Sequence, residues 1–447
     1  MLLRGLKMLA ILLLSYCNWN FIKKLFTSPD KRKTQYLYDD RGRIAIYHGV
    51  NVCNYSKHAP GNLPWQTKED FARLKDWGFN LVRYMVFWSA IEPVKGSYDV
   101  TYMQLTLERL KWLEELGIDV VLDMHQDLYC QKYGGNGFPI WTVNNDIPFI
   151  ERTPWNLNYT EPAIIASYDY FWKSEDLKIS YVKFLKHVLD NVDFLDNVIG
   201  IDVMNEPFQG TLYNFEKDYL SPFYETIQKM MLETGYKTRM FFEPTMLTSS
   251  GMPTNLTFKP GPKAAFFPHY YDIFCHEGKP YKAISKDILT KAIEVKIKEA
   301  QDFGVPILLG EFGAGPMIEN YLQYLSDYVL LANEYLMGWT YYTYDKVSYS
   351  GYGILNDDGT ERDQLKSLVC VYPQKIAGKN PVVVDIDEGL TLSYDTIPGE
   401  TEIFIPKGLY RITVNGMLLP DTYSGTVFKY VNDDEKKQVI KVYKWSK

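Results

Sequence analysis

Two glutamates follow apolar, strand-like runs, and this placement makes them the candidate reacting groups of the chain. Glu206 comes after the run at residues 198–204, and Glu311 comes after Ile307-Leu-Leu-Gly. Barrel enzymes present their catalytic groups at the rim where strands end. Two carboxyl groups that face one substrate can divide the roles of acid and nucleophile, so we predict a two-carboxylate active site.

The tripeptide Asn205-Glu206-Pro207 suits a general acid. A partly apolar rim position beside a second carboxylate favours the protonated form that delivers a proton to a leaving oxygen. Asn205 would hold the hydroxyl next to the reacting carbon, a contact that strengthens in the transition state. The tripeptide fits an ordinary helix start equally well, with Asn205 as the cap.

Glu311 stands between Gly310 and Gly313, which would let the backbone bend around a side chain that reaches into a cleft. A structural ion pair at the rim is the alternative. Counting strands places Glu206 at the end of the fourth and Glu311 at the end of the seventh, on opposite walls of one cavity. A carboxyl separation of roughly 5 Å would indicate a double displacement that retains configuration.

The segment Asp123-Met-His125-Gln-Asp127 ends the predicted third strand. Alternating Asp and His could ligate a metal, but the sequence has no His-x-His or His-Glu-x-x-His partner. His125 and Asp127 equally suit hydrogen bonds to sugar hydroxyls. We therefore predict no metal site.

Other side chains at strand ends could serve the same cavity. His269 would bind substrate, although a lone histidine is more often structural. Tyr271 would hydrogen-bond the nucleophile, or Tyr270 would if the strand ended one residue earlier. Arg83 would keep Glu311 ionised by lowering its pKa, with a buried structural ion pair as the alternative. Trp339 could stack against a sugar ring at the base of the site, or it could be a core residue.

Apolar runs alternate with amphipathic stretches from about residue 44 onward, and helix-ending glycines occur at Gly78, Gly117 and Gly304. This alternation indicates parallel α/β structure, and eight units indicate a (β/α)8 TIM barrel, which we place at residues 35–368. The predicted strands are Ile44–Gly49, Asn80–Phe87, Asp119–Met124, Val198–Met204, Arg239–Phe242, Ala264–Pro268, Ile307–Leu309 and Met337–Tyr342.

The C-terminal part has a different pattern. From residue 373 the helical period disappears, and short alternating runs are separated by turn signals such as Pro398-Gly399 and Asn415-Gly416. We predict a C-terminal antiparallel β-sandwich domain at residues 373–447.

Composition excludes one class of function. The 447-residue chain has a net charge of -7 and 46% hydrophobic residues, so it lacks the basic excess of a nucleic-acid binder. Aromatic residues make up 15% of the chain. Most of them are expected in the core, although aromatic faces also cover sugars and lipids.

Residues 1–25 fit a secretory signal or a membrane anchor, because Arg4 and Lys7 precede an apolar run that is short for a span of about 20 residues. Three sequons agree with a secreted or lumenal route: Asn54, Asn158 and Asn255. Four cysteines follow this segment and allow three pairings. We favour Cys130–Cys275, since both fall in loops at one rim of the barrel.

The motifs together resemble glycoside hydrolase family 5, whose members are retaining barrel glycosidases. They occur in the family's order over about residues 40–360: Arg83, Asp123-x-His125, Asn205-Glu206-Pro207, His269-x-Tyr271, Glu311-Phe-Gly313 and Trp339. Within the family, Gly49-Val-Asn51 with Lys57, residues 123–127, the loop at 134–141 and the C-terminal sandwich resemble endoglycoceramidases. Those enzymes release an intact glycan from ceramide.

The resemblance implies that Glu206 is the acid/base and Glu311 the nucleophile, with no cofactor. It also implies contacts with the first sugar from Lys57, Asp127, Asn205, His269 and Trp339, with His125 nearby. The substrate would be a glycosphingolipid, and a membrane surface or a detergent-like activator would be a partner. The oligomeric state stays open.

A glycolipid also needs an apolar groove beside the polar pocket. We expect it on the loop at residues 129–155, with Phe138, Trp141, Phe149 and Trp155, and on the segment at 213–222. Two alternatives remain. One is another family 5 glycosidase that acts on glucosylceramide, steryl glucoside or β-glucan, and the other is a non-catalytic glycan-binding protein on the same scaffold.

Overall fold

The computed structural model describes residue 24 and residues 27–386, 388–432 and 436–445. The predicted signal or anchor lies outside the described residues, apart from Lys24. Among the described helices, none combines the length and the apolar character that crossing a membrane requires.

Eight parallel strands form the barrel: β3 His48–Val52, β4 Leu81–Val86, β5 Asp119–Met124, β6 Val198–Asp202, β7 Arg239–Phe242, β8 Ala264–Phe266, β9 Leu308–Phe312 and β10 Gly338–Tyr341. Hydrogen bonds link them in the order β8-β7-β6-β5-β4-β3-β10-β9. Bridges between Phe266 and Ile307 and between His269 and Glu311 close β9 onto β8. The predicted TIM barrel is confirmed.

Helices cover the barrel, and their ends follow local sequence signals. Thr67 and Asp70 form a capping box at the start of the helix Lys68–Asp76, and Gly304 ends the helix Ala283–Phe303 in the left-handed conformation. The helices are α1 Lys68–Asp76, α2 Trp88–Ile91, α3 Val100–Glu115, α4 Pro162–Lys173, α5 Glu175–Val192, α6 Ser221–Thr234, α7 Ile273–His276, α8 Ala283–Phe303, α9 Tyr321–Glu334 and α10 Gln364–Leu368.

The remaining strands build two antiparallel sheets, which confirms the predicted C-terminal β-sandwich. These strands are β1 Leu37–Tyr38, β2 Ile44–Ala45, β11 Tyr372–Ile376, β12 Gly378–Ile386, β13 Gly389–Thr396, β14 Gly399–Ile405, β15 Tyr410–Val414, β16 Met417–Leu418, β17 Thr426–Asn432 and β18 Lys437–Lys444. One sheet has the order β1-β2-β11-β14-β17, and the other has the order β12-β13-β18-β15-β16.

The prediction of a first barrel strand at Ile44–Gly49 is wrong in its bounds. Ile44 and Ala45 form β2, which pairs antiparallel with β11, and the barrel strand β3 begins at His48. The N-terminal strands β1 and β2 thus complete a sheet of the sandwich. Local hydrophobicity does not separate the two strands, because both stretches are fully buried.

The predicted disulfide is also wrong. Cys130 and Cys275 are free thiols, as are Cys53 and Cys370. Cys130 follows β5, whereas Cys275 lies in α7 after β8, and β6 and β7 stand between those two strands. The two cysteines therefore occupy separate parts of the rim.

The three sequons differ in exposure. Asn158 is buried, and its Oδ1 accepts a hydrogen bond of 2.7 Å from the Arg152 amide. Glycosylated asparagines lie at the surface, so Asn158 is unsuited to carry a glycan in the folded protein. Asn54 and Asn255 are partly exposed.

Candidate active site

Glu206 and Glu311 meet at the mouth of the barrel. Glu311 lies inside β9, and Glu206 follows the end of β6 by four residues. A carboxylate oxygen of each lies within 4.8 Å of the other. Glu311 is 5% exposed, while Glu206 is half-buried. The two carboxyl groups can therefore flank a single bond of a substrate.

Glu311 is held as a carboxylate by two donors. Arg83 Nη1 donates to its Oε1 at 2.7 Å, and the Tyr271 hydroxyl donates to its Oε2 at 2.8 Å. Burial favours the neutral form, but the positive charges of His269 and Arg83 outweigh it and lower the pKa of Glu311. Tyr270, the alternative phenol, is fully buried in the hydrophobic core.

Arg83 lies inside the barrel and contacts polar side chains from several strand ends. It is completely buried on β4. Its guanidinium lies within 3.2 Å of oxygens from six side chains: Asn51, Asp123, Asp202, Asn205, Glu243 and Glu311. The sequence offered two interpretations of Arg83, a partner of Glu311 and a buried structural ion pair. The structure shows both, since Arg83 contacts Glu311 and also forms buried ion pairs with other acids.

Glu206 is fixed through both its side chain and its backbone. His269 Nδ1 lies 3.0 Å from Glu206 Oε1, and the Ser249 hydroxyl lies 3.4 Å from the same atom. The Glu206 amide donates to Glu243 Oε2 at 2.9 Å. Its carbonyl accepts from Gln126 Nε2 at 3.1 Å.

His269 faces a carboxylate with each ring nitrogen. Its Nε2 lies 3.0 Å from Glu243 Oε1, opposite the contact of Nδ1 with Glu206. Burial lowers the pKa of His269, but Glu243 and Glu311 outweigh it and raise the pKa well above the ordinary value. Both ring nitrogens therefore face glutamate oxygens on opposite sides of the ring.

Among the described residues, two groups of side chains have the spacing of metal ligands: Asp202, Glu243 and His269, and Glu206, His269 and Glu311. Both groups share His269, whose two ring nitrogens each lie 3.0 Å from a glutamate oxygen. Arg83 lies 2.6 Å from Asp202, 3.0 Å from Glu243 and 2.7 Å from Glu311. The side chains of both groups are therefore already paired with neighbouring side chains.

A second polar group lines the same mouth. Lys57 Nζ lies 2.8 Å from Asp127 Oδ2, and Asn136 Nδ2 donates to that oxygen at 3.3 Å. His125 bridges Asp123 and Asp127 at 2.6 and 3.1 Å. Burial favours the neutral form of Asp127, but Lys57 and His125 outweigh it and lower its pKa. The group presents fixed charges and hydrogen-bonding atoms that suit a polar ligand.

The prediction that Trp339 contacts a sugar is wrong. Trp339 is completely buried near the start of β10, where it pairs with His48, the first residue of β3. Its ring stacks on His48 at 4.4 Å and meets Phe312 edge-on at 5.4 Å. It lies toward the amino end of the strand, one layer below the mouth.

Tyr342 holds the position that sequence reasoning gave to Trp339. It directly follows β10, and its hydroxyl donates to Asn54 Oδ1. Lys57 Nζ lies over its ring, 5.0 Å from the centroid. The sequence signal was available, because Tyr342 is the residue at which the predicted eighth strand ends.

Two buried acids, Asp202 and Glu243, were also missed. Glu243-Pro244 directly follows β7 and repeats the Glu-Pro pair that Glu206-Pro207 forms after β6. Asp202 ends β6 and accepts from Arg83 Nη2 at 2.6 Å. Only the repeated Glu-Pro pattern could have signalled Glu243.

Gly310 and Gly313 are required for space and not for bending, since neither has a positive φ. A Cβ at Gly310 would lie 2.8 Å from His269 Nε2, and one at Gly313 would lie 2.5 Å from the Tyr342 carbonyl oxygen. Both glycines let β9 approach neighbouring site residues.

The apolar prediction for the loop after β5 is partly wrong. Phe138 is buried and stacks on Tyr129 at 4.4 Å, so it belongs to the core. Trp141 is half-buried, and its Nε1 donates to the Glu92 carbonyl at 2.9 Å. The exposed apolar side chains of this loop are Ile140, Ile147, Ile150, Trp155 and Leu157, so the predicted Trp155 does lie at the surface.

Comparisons with known proteins identify relatives of the chain. A family model described as cellulase (glycosyl hydrolase family 5) matches residues 43–348. Endoglycoceramidase I from Rhodococcus hoagii is 26% identical and covers 91% of this chain and 86% of its own length. An endoglycoceramidase from Hydra vulgaris is 25% identical and covers 90% of this chain and 86% of its own length.

A solved structure agrees with these relatives. Endo-glycoceramidase II from Rhodococcus sp. in complex with ganglioside GM3 matches with a TM-score of 0.82 and 26% identity, covering 92% of this chain and 100% of that chain. The same protein as a lactosyl-enzyme intermediate matches with a TM-score of 0.80 and 27% identity. The chain therefore belongs to glycosyl hydrolase family 5 and is a glycoside hydrolase.

Proposed function

We propose that the chain is a retaining endo-β-glycosidase that hydrolyses the bond between the oligosaccharide and the ceramide of glycosphingolipids. The observation that carries this proposal is the extent of the similarity. The two endoglycoceramidases match about nine-tenths of the chain, so the likeness includes the β-sandwich as well as the barrel. A likeness limited to the barrel would favour no single substrate within the family.

Glu311 attacks the first carbon of the glycan while Glu206 protonates the oxygen that leaves with ceramide. The bond to ceramide breaks, and a glycosyl-enzyme forms. Glu206 then takes a proton from water, which hydrolyses the glycosyl-enzyme and releases the glycan with retained configuration. The oxygen separation of at most 4.8 Å supports this route, as does the lactosyl-enzyme intermediate of the relative.

The neighbouring side chains would assist the pair in three ways. Arg83 and Tyr271 keep Glu311 ionised and oriented. Asn205 holds the first sugar from the side of Glu206, while His269 fixes the Glu206 carboxyl through Nδ1. The remaining contacts with that sugar come from Lys57, His125, Asp127 and Tyr342.

Apolar side chains at the barrel mouth support a lipid aglycone. Trp155, Tyr213 and Phe274 are 51%, 67% and 40% exposed, and they follow β5, β6 and β8 respectively. Apolar surface next to a polar pocket suits a substrate whose lipid part stays in a membrane or micelle. The signal-like N-terminus would bring the enzyme to a secreted or lumenal location.

Mass spectrometry of the products from a ganglioside incubation tests the proposal. Free oligosaccharide together with ceramide is expected. Release of single glucose, or cleavage of a steryl glucoside or β-glucan with no action on the ganglioside, would replace the proposal with another family 5 activity. Glu311→Gln is the control, because it should retain glycan binding and lose turnover.

A further inference from the structure

Glu243 touches both the backbone and the side-chain environment of Glu206. One of its oxygens, Oε2, accepts the Glu206 amide at 2.9 Å. The other, Oε1, lies 3.0 Å from Arg83 Nη2 and 3.0 Å from His269 Nε2. His269 in turn contacts the Glu206 carboxyl. Glu243 is buried, so water does not compete for these contacts.

The backbone of Glu206 needs such support. Its φ is 42°, in the left-handed region that a residue with a Cβ adopts only against steric strain. Residues in this region persist only when the surrounding structure holds them there. The direction of the Glu206 side chain depends on this conformation.

The loop that carries Glu243 holds the next residue as well. The Thr245 hydroxyl donates to the Pro207 carbonyl at 3.0 Å, and the Met246 amide donates to the same oxygen at 3.2 Å. The segment 243–246 after β7 therefore contacts the chain on both sides of the Glu206 α-carbon. Gln126, after β5, supports the Glu206 carbonyl from a different strand.

We propose that Glu243 is a positioning residue for the acid/base Glu206, which it holds in the orientation that delivers a proton to the leaving oxygen. This inference rests on the proposed role of Glu206. It predicts that loss of Glu243 impairs proton delivery more than nucleophilic attack, because Glu311 keeps its own contacts with Arg83 and Tyr271.

Glu243→Gln is a sharp test because an amide cannot replace both contacts. Each carboxyl oxygen keeps a lone pair that accepts a hydrogen bond, whereas an amide nitrogen only donates. In one orientation the glutamine nitrogen faces the Glu206 amide, and in the other it faces Arg83 and His269. One contact is lost in either case.

The readout is kcat/KM for two β-lactosides that differ in their need for an acid. An alkyl lactoside requires protonation of its leaving oxygen, whereas a 2,4-dinitrophenyl lactoside does not. General acid catalysis contributes about 10²–10⁴-fold. We expect Glu243→Gln to lose about 30-fold on the alkyl substrate and about 3-fold on the aryl substrate, because the acid is displaced and not removed, so the loss stays below the full contribution. Glu243→Asp should show a smaller selective loss.

Two controls separate the explanations. Glu206→Gln must lose more on the alkyl than on the aryl substrate; if it does not, the proposed role of Glu206 fails. Asp123→Asn removes another buried acid that contacts Arg83 but not the Glu206 amide, and should lose activity equally on both substrates. Thermal unfolding first verifies that Glu243→Gln and Glu243→Asp are folded. The positioning role is overturned if both variants lose the same factor in kcat/KM on the two substrates while Glu206→Gln loses more on the alkyl substrate. It is also overturned if Asp123→Asn shows the same selectivity as Glu243→Gln.

Discussion

Arg83 Nη1 lies 2.7 Å from Glu311 Oε1, and this buried ion pair joins the second and seventh strands of the barrel beneath the site. The same guanidinium contacts Asp202 and Glu243, so a single cation serves several acids. Without it, burial would favour protonation of each of them.

The first prediction concerns the acid limb of the pH profile. Because His269 and Arg83 together lower the pKa of Glu311 against burial, Arg83→Met should raise that pKa. Activity is lost as pH falls through the pKa of the nucleophile, so the acid limb of kcat/KM should move to higher pH. Arg83→Lys retains a charge and should show a smaller movement. If the acid limb of both variants stayed at the pH of the native protein, Arg83 would not be the group that lowers the pKa of Glu311.

Tyr271→Phe removes the hydroxyl that donates to Glu311 Oε2 at 2.8 Å. Hydrogen bonds to charged groups contribute about 1.5–3 kcal/mol, so kcat should fall by about 10- to 100-fold. KM should change little, because this hydroxyl faces the nucleophile. Tyr270→Phe is the matched control, since Tyr270 is buried in the core and should leave kcat near its original value. Equal losses in the two variants would argue against the role of Tyr271.

Uniform apolar runs made much of the fold predictable. The bounds of β5 and β7 agree with prediction because each run is followed directly by a polar residue. Glu206 and Glu311 could be singled out because an acid beside a buried strand is chemically unusual. The pairing of β2 with β11 could not be predicted, since it joins residues more than 300 positions apart. The sequence of a short apolar strand does not indicate which other strand it pairs with.

The errors at the site have a related cause. Trp339 was assigned to the sugar site because an indole suits either a core or a sugar, and only its pairing with His48 decides between them. Asp202 and Glu243 were overlooked because buried acids are costly without a cation, and the cation comes from β4. Local sequence gives the type of each side chain, but the depth of each residue along its strand depends on register.

A third prediction tests whether Tyr342, and not Trp339, contacts the sugar. Tyr342→Ala should raise KM for soluble lactosides, because it removes the ring under Lys57 and the hydroxyl bound to Asn54. Trp339→Phe should leave KM unchanged and lower thermal stability, since it opens space in the core. The measurements are Michaelis–Menten kinetics and thermal unfolding of both variants. A raised KM in Trp339→Phe alone would restore the original assignment.

The last prediction concerns stability and pH at Asp345. This buried carboxyl accepts from Trp65 Nε1 at 2.9 Å and from the Asn54 amide at 2.5 Å. Burial raises its pKa from 3.8 to about 7. The unfolded chain therefore releases this proton at lower pH than the folded chain does. The stabilisation is full below pH 3.8 and is lost as pH rises to about 7.

As pH rises from 3.8 to about 7, the free energy of unfolding of the native protein should fall relative to that of Asp345→Asn. The difference corresponds to at most about 4 kcal/mol at 1.36 kcal/mol per pKa unit. Chemical denaturation of both proteins across this range measures it, with the exposed Asp421→Asn as control. Because Asp345 holds the turn that carries Lys57, the same variant should also raise KM for lactosides. Parallel stability curves for Asp345→Asn and the native protein would show that this carboxyl titrates alike in both states.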